Sequence, residues 1–172
     1  MENLMEKWKT KIPKYSVKYE GLFKSLSTKY GSEGDKTISL GKHFNTNYEL
    51  YTYAFFLGLY NDLFIPIPKD EKKTDFSYLI QKWGSKTSPL REDFTSIQEN
   101  IFMAVFAKAD LDLEKLEKGE ISEDEAVKIL INTLESYTNG GLTLIQEKID
   151  DSPNYFIQPT SFLNLIMESN SE

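Results

Sequence analysis

The stretch from Phe44 to Phe64, FNTNYELYTYAFFLGLYNDLF, constrains this chain more than any other. Phe44, Tyr48, Tyr51, Phe55 and Leu59 form one helical stripe, and Leu50, Ala54, Leu57 and Tyr60 form another. Only a narrow strip near Asn45, Glu49 and Thr52 is polar. A helix that is apolar nearly all round must be a core helix or a membrane span. A span needs about 18 or more apolar residues in a row. Here Glu49, Thr52, Asn61 and Asp62 interrupt the run, and Pro66 and Pro68 follow it. The segment is therefore expected to form a central core helix over about residues 46–64. Asn45 or Thr46 is its expected N-cap, with Glu49 completing a capping box. Gly58 inside it costs about 1 kcal/mol relative to alanine, and close approach by a neighbouring helix is the expected compensation.

The rest of the chain also reads as helical. Leu4, Trp8 and Ile12 share a stripe that Pro13 ends, and an apolar face resumes from Ser16 to Tyr30. Gly31 suits the position just past that helix, and Gly31–His43 reads as a polar loop. A short helix is expected over Phe76–Trp83, capped by Thr74 or Asp75 and stopped by Gly84. Ser88 and Pro89 are the expected start of a long amphipathic helix carrying Leu90, Phe94, Ile97, Ile101, Val105 and Ala109. Leu111–Leu116 continues as a short turn or helix to Gly119. Ser122 and Glu125 make a second capping box, and Asn139-Gly140-Gly141 is expected to break the helix it opens. A further helix over Leu142–Ile149, an irregular DSPNYFIQP and a short helix over Ser161–Met167 complete the pattern. No strand alternation is evident. The expected fold is all-α, a single domain over residues 1–172 with five to seven helices and a frayed tail at 169–172.

A chain of 172 residues can bury a core without staples. It has no cysteine, so disulfides, thiolate metal sites and cysteine nucleophiles are excluded. A reducing cytosol suits this composition, and the opening MENLMEKWKTKIPKY has no apolar signal core. The net charge of −7 is polarised. Residues 1–30 carry seven Lys against three Glu, whereas residues 110–172 carry four Lys against fourteen acids. The acidic end is a poor match for a phosphate backbone. The basic end could meet an acidic partner or the acidic end of another copy, although solvated helix faces are the plainer reading.

Catalytic motifs are missing. No GxxxxGK[ST], GxGxxG, HExxH or GxSxG occurs. Counting from Asp110, an EF-hand fails at its glycine position (Lys115) and its glutamate position (Ile121). His43 is the sole histidine, and a structural role is the better reading. Adjacent acids such as Glu92/Asp93 and Asp150/Asp151 point apart on a helix. No catalytic residue, metal or cofactor is assigned. Ten tyrosines favour core packing, with an interface as the best functional alternative.

Two candidate sites remain. The basic N-terminal segment interleaves Lys7, Lys9, Lys11, Lys14 and Lys18 with Trp8, Tyr15 and Tyr19, a chemistry that suits single-stranded nucleic acid or an acidic partner. The polar edge before the aromatic helix holds His43, Asn45, Asn47 and Glu49. The helix FNTNYELYTYAFFLGLY resembles small helical accessory proteins of bacterial DNA-modification and phage-defence systems, a likeness confined to that segment that carries over no site residue. It implies an accessory role beside nucleic acid. The leading expectation is a cytoplasmic, non-catalytic helical protein that works by protein–protein interaction or self-association, as a small subunit or regulator, away from any membrane.

Overall fold

Local signals place most of the elements. The computed structural model describes residues 2–27, 43–86 and 92–168. In chain order these form α1 (Glu2–Lys9), β1 (Tyr15–Ser16), α2 (Glu20–Leu26), α3 (Asn47–Tyr60), β2 (Lys73–Thr74), α4 (Ser96–Lys108), α5 (Leu113–Glu117), α6 (Glu123–Asp151) and α7 (Thr160–Glu168). Single 3-10 turns lie at Val17–Tyr19, Ile80–Lys82 and Tyr155–Ile157. The fold is all-α, with seven α-helices among the described residues. The expected helix cap at Gly31, the start at Ser88-Pro89 and the tail at 169–172 lie outside the described residues.

Packing groups the chain into two compact units. The first comprises Met1–Lys14 and Asp75–Glu135, the second Tyr15–Thr74 and Ser136–Glu172. In the first, Leu4 and Trp8 of α1 are buried, as are Ile101, Phe102 and Val105 of α4 and Ala126, Val127, Leu130 and Leu134 of α6. Trp8 meets Phe102 edge-on at 5.5 Å. Ile80 N–H donates to Lys11 O (3.1 Å), and Lys14 N–H donates to the buried Glu135 carboxylate (2.8 Å).

Three expectations in this unit are corrected. Phe76–Trp83 is not a helix but one 3-10 turn at Ile80–Lys82. The Asp75 carboxylate captures Ser77 N–H (2.7 Å), and Ser77 takes φ 53°, which diverts the chain before a helix can start. Likewise Phe94, expected on the apolar face of the long helix, stands outside α4, which begins at Ser96. Asp93 accepts from Thr95 N–H (2.8 Å) and Phe94 N–H donates to Gly84 O (2.9 Å), so this stretch is a turn and Phe94 lies exposed. Finally, Ile12 stands outside α1, which ends at Lys9. The second capping box forms as expected: Ser122 Oγ accepts from Glu125 N–H (3.2 Å) and Glu125 accepts from Ser122 N–H (2.9 Å).

In the second unit, β1 and β2 pair antiparallel, Tyr15 opposite Thr74 and Ser16 opposite Lys73. A two-residue strand is too short to show alternation, so the sequence carries no sign of it. Leu50, Tyr51, Ala54, Phe55 and Leu57 of α3 are fully buried. Thr46 is its N-cap, accepting from Glu49 N–H, and Asn61 ends it.

The clearest departure is α6, which runs through Asn139-Gly140-Gly141 without a break. Two glycines would weaken an isolated helix by about 1 kcal/mol each. Here they let neighbouring backbone come close. A Cβ on Gly141 would fall within 3.0 Å of Ala54 backbone, and one on Gly140 within 3.0 Å of Leu63 O. Gly58 of α3 is the reciprocal partner, because a Cβ there would sit 2.8 Å from Gly141 N and closer still to Tyr137 O. Real Cβ atoms are not found inside 3.0 Å. The compensation expected for Gly58 is therefore present.

This contact yields a paired prediction. Gly58→Leu should destabilise the protein by at least about 1–3 kcal/mol through overpacking. Gly21→Ala, in an exposed helical position with nothing within 4 Å of the added Cβ, should be neutral or stabilise by up to about 1 kcal/mol. Urea denaturation of both variants checks the contrast; equal effects would remove the close approach as its cause.

Candidate functional site

The polar edge at the start of α3 is built around a helix cap and an aromatic cluster. Glu49 accepts from Asn45 N–H (2.8 Å), one residue earlier than a strict capping box requires. Asn47 Oδ1 accepts from Ser27 Oγ, joining α3 to the end of α2. His43 Nε2 lies 2.6 Å from Phe156 O. A carbonyl can only accept, so Nε2 carries the proton. The His43 ring meets Phe162 edge-on at 5.3 Å.

Phe162 is the hub of this cluster. Phe44 (4.9 Å) and Tyr53 (5.2 Å) meet its ring edge-to-face, and Phe156 stacks on it at 4.5 Å. Each such pair contributes about 0.5–1.5 kcal/mol beyond buried area. Tyr53 Oη donates to Phe162 O (2.7 Å), and burial pushes the Tyr53 phenol up from its ordinary value. His43, Asn45, Asn47 and Glu49 are thus brought together, and each takes part in fixing the entry to α3.

A second group pins the far end of α7. Glu168 accepts from Lys148 Nζ (2.7 Å) and from Tyr155 Oη (2.9 Å), and Lys148 also lies 4.7 Å from the Tyr155 ring centre. The Lys148 hydrogen bond, and then that from Tyr155, hold the Glu168 carboxyl below its ordinary 4.5. Burial and the bond to Glu168 push the Tyr155 phenol up to about 12.

The basic N-terminal residues are spread over both units. Lys7 lies 2.6 Å from Glu123 and 3.6 Å from Asp124, while Asn3 donates to the same Glu123. The Glu123 hydrogen bond raises the Lys7 pKa, and the Lys7 bond lowers that of Glu123. Lys7, at the basic start of the chain, therefore meets the acidic start of α6 within the first unit. Lys9 pairs with Glu6 (3.0 Å), and Lys18 pairs with Glu71 (3.6 Å). Lys11 and Lys14 are exposed. Trp8, Tyr15 and Tyr19 are buried, and Tyr15 packs on Phe23 at 4.3 Å. Stacking on a base requires an exposed ring face, which these three do not present.

One feature went unnoticed in the sequence. α7 buries Ser161, Phe162 and Leu165, yet Leu163 and Met167 are each 59% exposed. These two lie four residues apart, one helical turn, so they adjoin on the face opposite the buried one. Ile157, just before α7, is 54% exposed. The signal was the composition TSFLNLIME, which is apolar at more positions than a one-sided surface helix needs. Among the described residues no group of three or more acids or histidines could hold a metal ion, and no helix is long and apolar enough to cross a membrane.

Comparison with protein-family models, with curated proteins and with solved structures returns no match.

Two predictions test the anchoring of α7. Tyr53→Phe should cost about 1 kcal/mol, because it removes the phenol's hydrogen bond to the Phe162 carbonyl. Glu168 has a lowered folded pKa, so its stabilisation is present above the ordinary 4.5 and is lost as pH falls through the lower folded value. The melting-temperature gap between wild type and Glu168→Gln should therefore be present near neutrality and vanish on acidification. A gap that persists in acid would show that the carboxylate charge is not its source.

Proposed function

We propose that this chain is a cytosolic, non-catalytic helical protein that works by binding another protein, as a small subunit or regulator of a larger assembly. The outer face of α7 is the observation that supports it. Scattered exposed apolar residues are ordinary on a protein surface. Leu163 and Met167 are instead neighbours on one face of a helix whose other face is already buried, and no charged side chain lies on α7 before Glu168. Covering them would contribute about 1.5–3 kcal/mol for each side chain removed from water. The contacts at Phe162 and Glu168 already seat α7 on the unit, which limits the ordering cost of binding. The absence of cysteine suits a reducing compartment.

The test is the double variant Leu163→Lys/Met167→Lys. Wild-type protein should either sediment above monomer mass or retain a stoichiometric partner from its native host lysate through gel filtration. The double variant should lose that species while melting within about 0.5 kcal/mol of wild type, as surface substitutions do. Wild-type protein that stays monomeric at every concentration and retains nothing would overturn the reading, as would a variant that keeps the complex intact.

A further inference from the structure

We infer that Asn139–Gly140 is a covalent modification site that the folded chain keeps closed and that becomes reactive only when α3 leaves α6. Asn139 is the sole asparagine followed by glycine in the sequence. In an open chain, the Gly140 backbone nitrogen attacks Cγ of Asn139, because glycine has no Cβ to shield it. The new N–Cγ bond closes a five-membered imide. The Cγ–Nδ2 bond breaks, and ammonia departs with the proton from the Gly140 nitrogen. Water then adds to either imide carbonyl, leaving aspartate or an isoaspartyl linkage at position 139. No oxidant or reductant is involved.

Each step is blocked in the native structure. Residue 139 lies inside α6, where the Gly140 N–H is directed at the carbonyl four residues back. Asn139 Nδ2 donates to Ile65 O (3.1 Å), and its main-chain carbonyl accepts from Thr143 Oγ1 (2.8 Å). The side chain is 1% exposed, so water is excluded from the amide. The reactive pair is also held in place by packing, because a Cβ at 140 would fall within 3.0 Å of Leu63 O. These contacts come from the segment just after α3 and from α6 itself, and the adjoining Gly141 packs against Ala54 of α3.

The product cannot return to the native arrangement. An aspartate at 139 has no hydrogen to give Ile65 O and would place a carboxylate beside a carbonyl without water. An isoaspartyl linkage adds a methylene to the backbone of a helix that has no spare space there. Opening of this crossing is therefore recorded irreversibly in the chain, independently of what α7 binds.

The test follows the tryptic peptide Ile129–Lys148 of full-length protein by mass spectrometry and isoaspartate assay, with and without urea at mildly alkaline pH. Conversion at Asn139 should be at least about a hundredfold slower in native protein, because the open population governs it. Gly58→Ala, which weakens the crossing, should raise the native rate above wild type, and Asn139→Asp should melt well below wild type. Equal rates with and without urea would overturn the closed site. An unchanged rate in Gly58→Ala would overturn the role of α3, and a wild-type melting point for Asn139→Asp would overturn the irreversibility.

Discussion

Where α3 meets the second half of α6, no side chain separates the two backbones. Ala54 and Gly58 lie one turn apart on α3, and Tyr137 and Gly141 lie one turn apart on α6. These i, i+4 pairs match the ridges through which helices most often interdigitate. With glycine at two of the four positions, the ridges become shallow enough for carbonyl to approach Cα. Fixing one pair fixes others. Leu63 closes on Gly140, Ile65 N–H donates to Ser136 O (3.1 Å), and Asn139 donates to Ile65 O. Tyr19 is drawn to the same helix: Thr143 spends its hydroxyl hydrogen on Asn139 O, so Tyr19 must be the donor in its 2.7 Å contact with Thr143.

The aromatic cluster around Phe162 is the second layer of this unit. It converts the start of α3 into a seat for α7, through edge-to-face rings and one buried phenol. The residues that a sequence reader nominates for chemistry here are occupied in that task. His43 donates to a main-chain carbonyl, Glu49 caps and Asn47 bonds Ser27. What α7 leaves uncovered is its apolar outer face, which is why binding, and not catalysis, is the function proposed.

How much of this was legible depended on how local each cause is. The helix starts at Thr46 and Ser122 could be read directly, because a cap is settled by residues three apart. The all-α class followed from the apolar period. Phe94, expected within the long amphipathic helix, lies outside it because its N–H bonds Gly84, ten residues earlier. The break expected at Gly140-Gly141 failed because Gly141 faces Ala54 of α3 and Gly140 faces Leu63 just beyond it, more than 75 residues away in sequence. Lysines that looked available in a one-dimensional charge count are paired with Glu6, Glu71 and Glu123.

The sequence alone determined that the chain is helical, where several helices begin, and that the middle of the Phe44–Phe64 segment had to be buried, whereas Tyr60 and Phe64 at its end stand exposed. Those properties rest on energies between residues within a turn or two of one another. Only the tertiary structure decided that Asn139-Gly140-Gly141 stays helical, that Trp8, Tyr15 and Tyr19 are enclosed, and that α7 has two apolar faces with one left open. Each of these turns on a neighbour distant in the chain, and a glycine is a breaker or a contact according to whether another backbone is there to meet it.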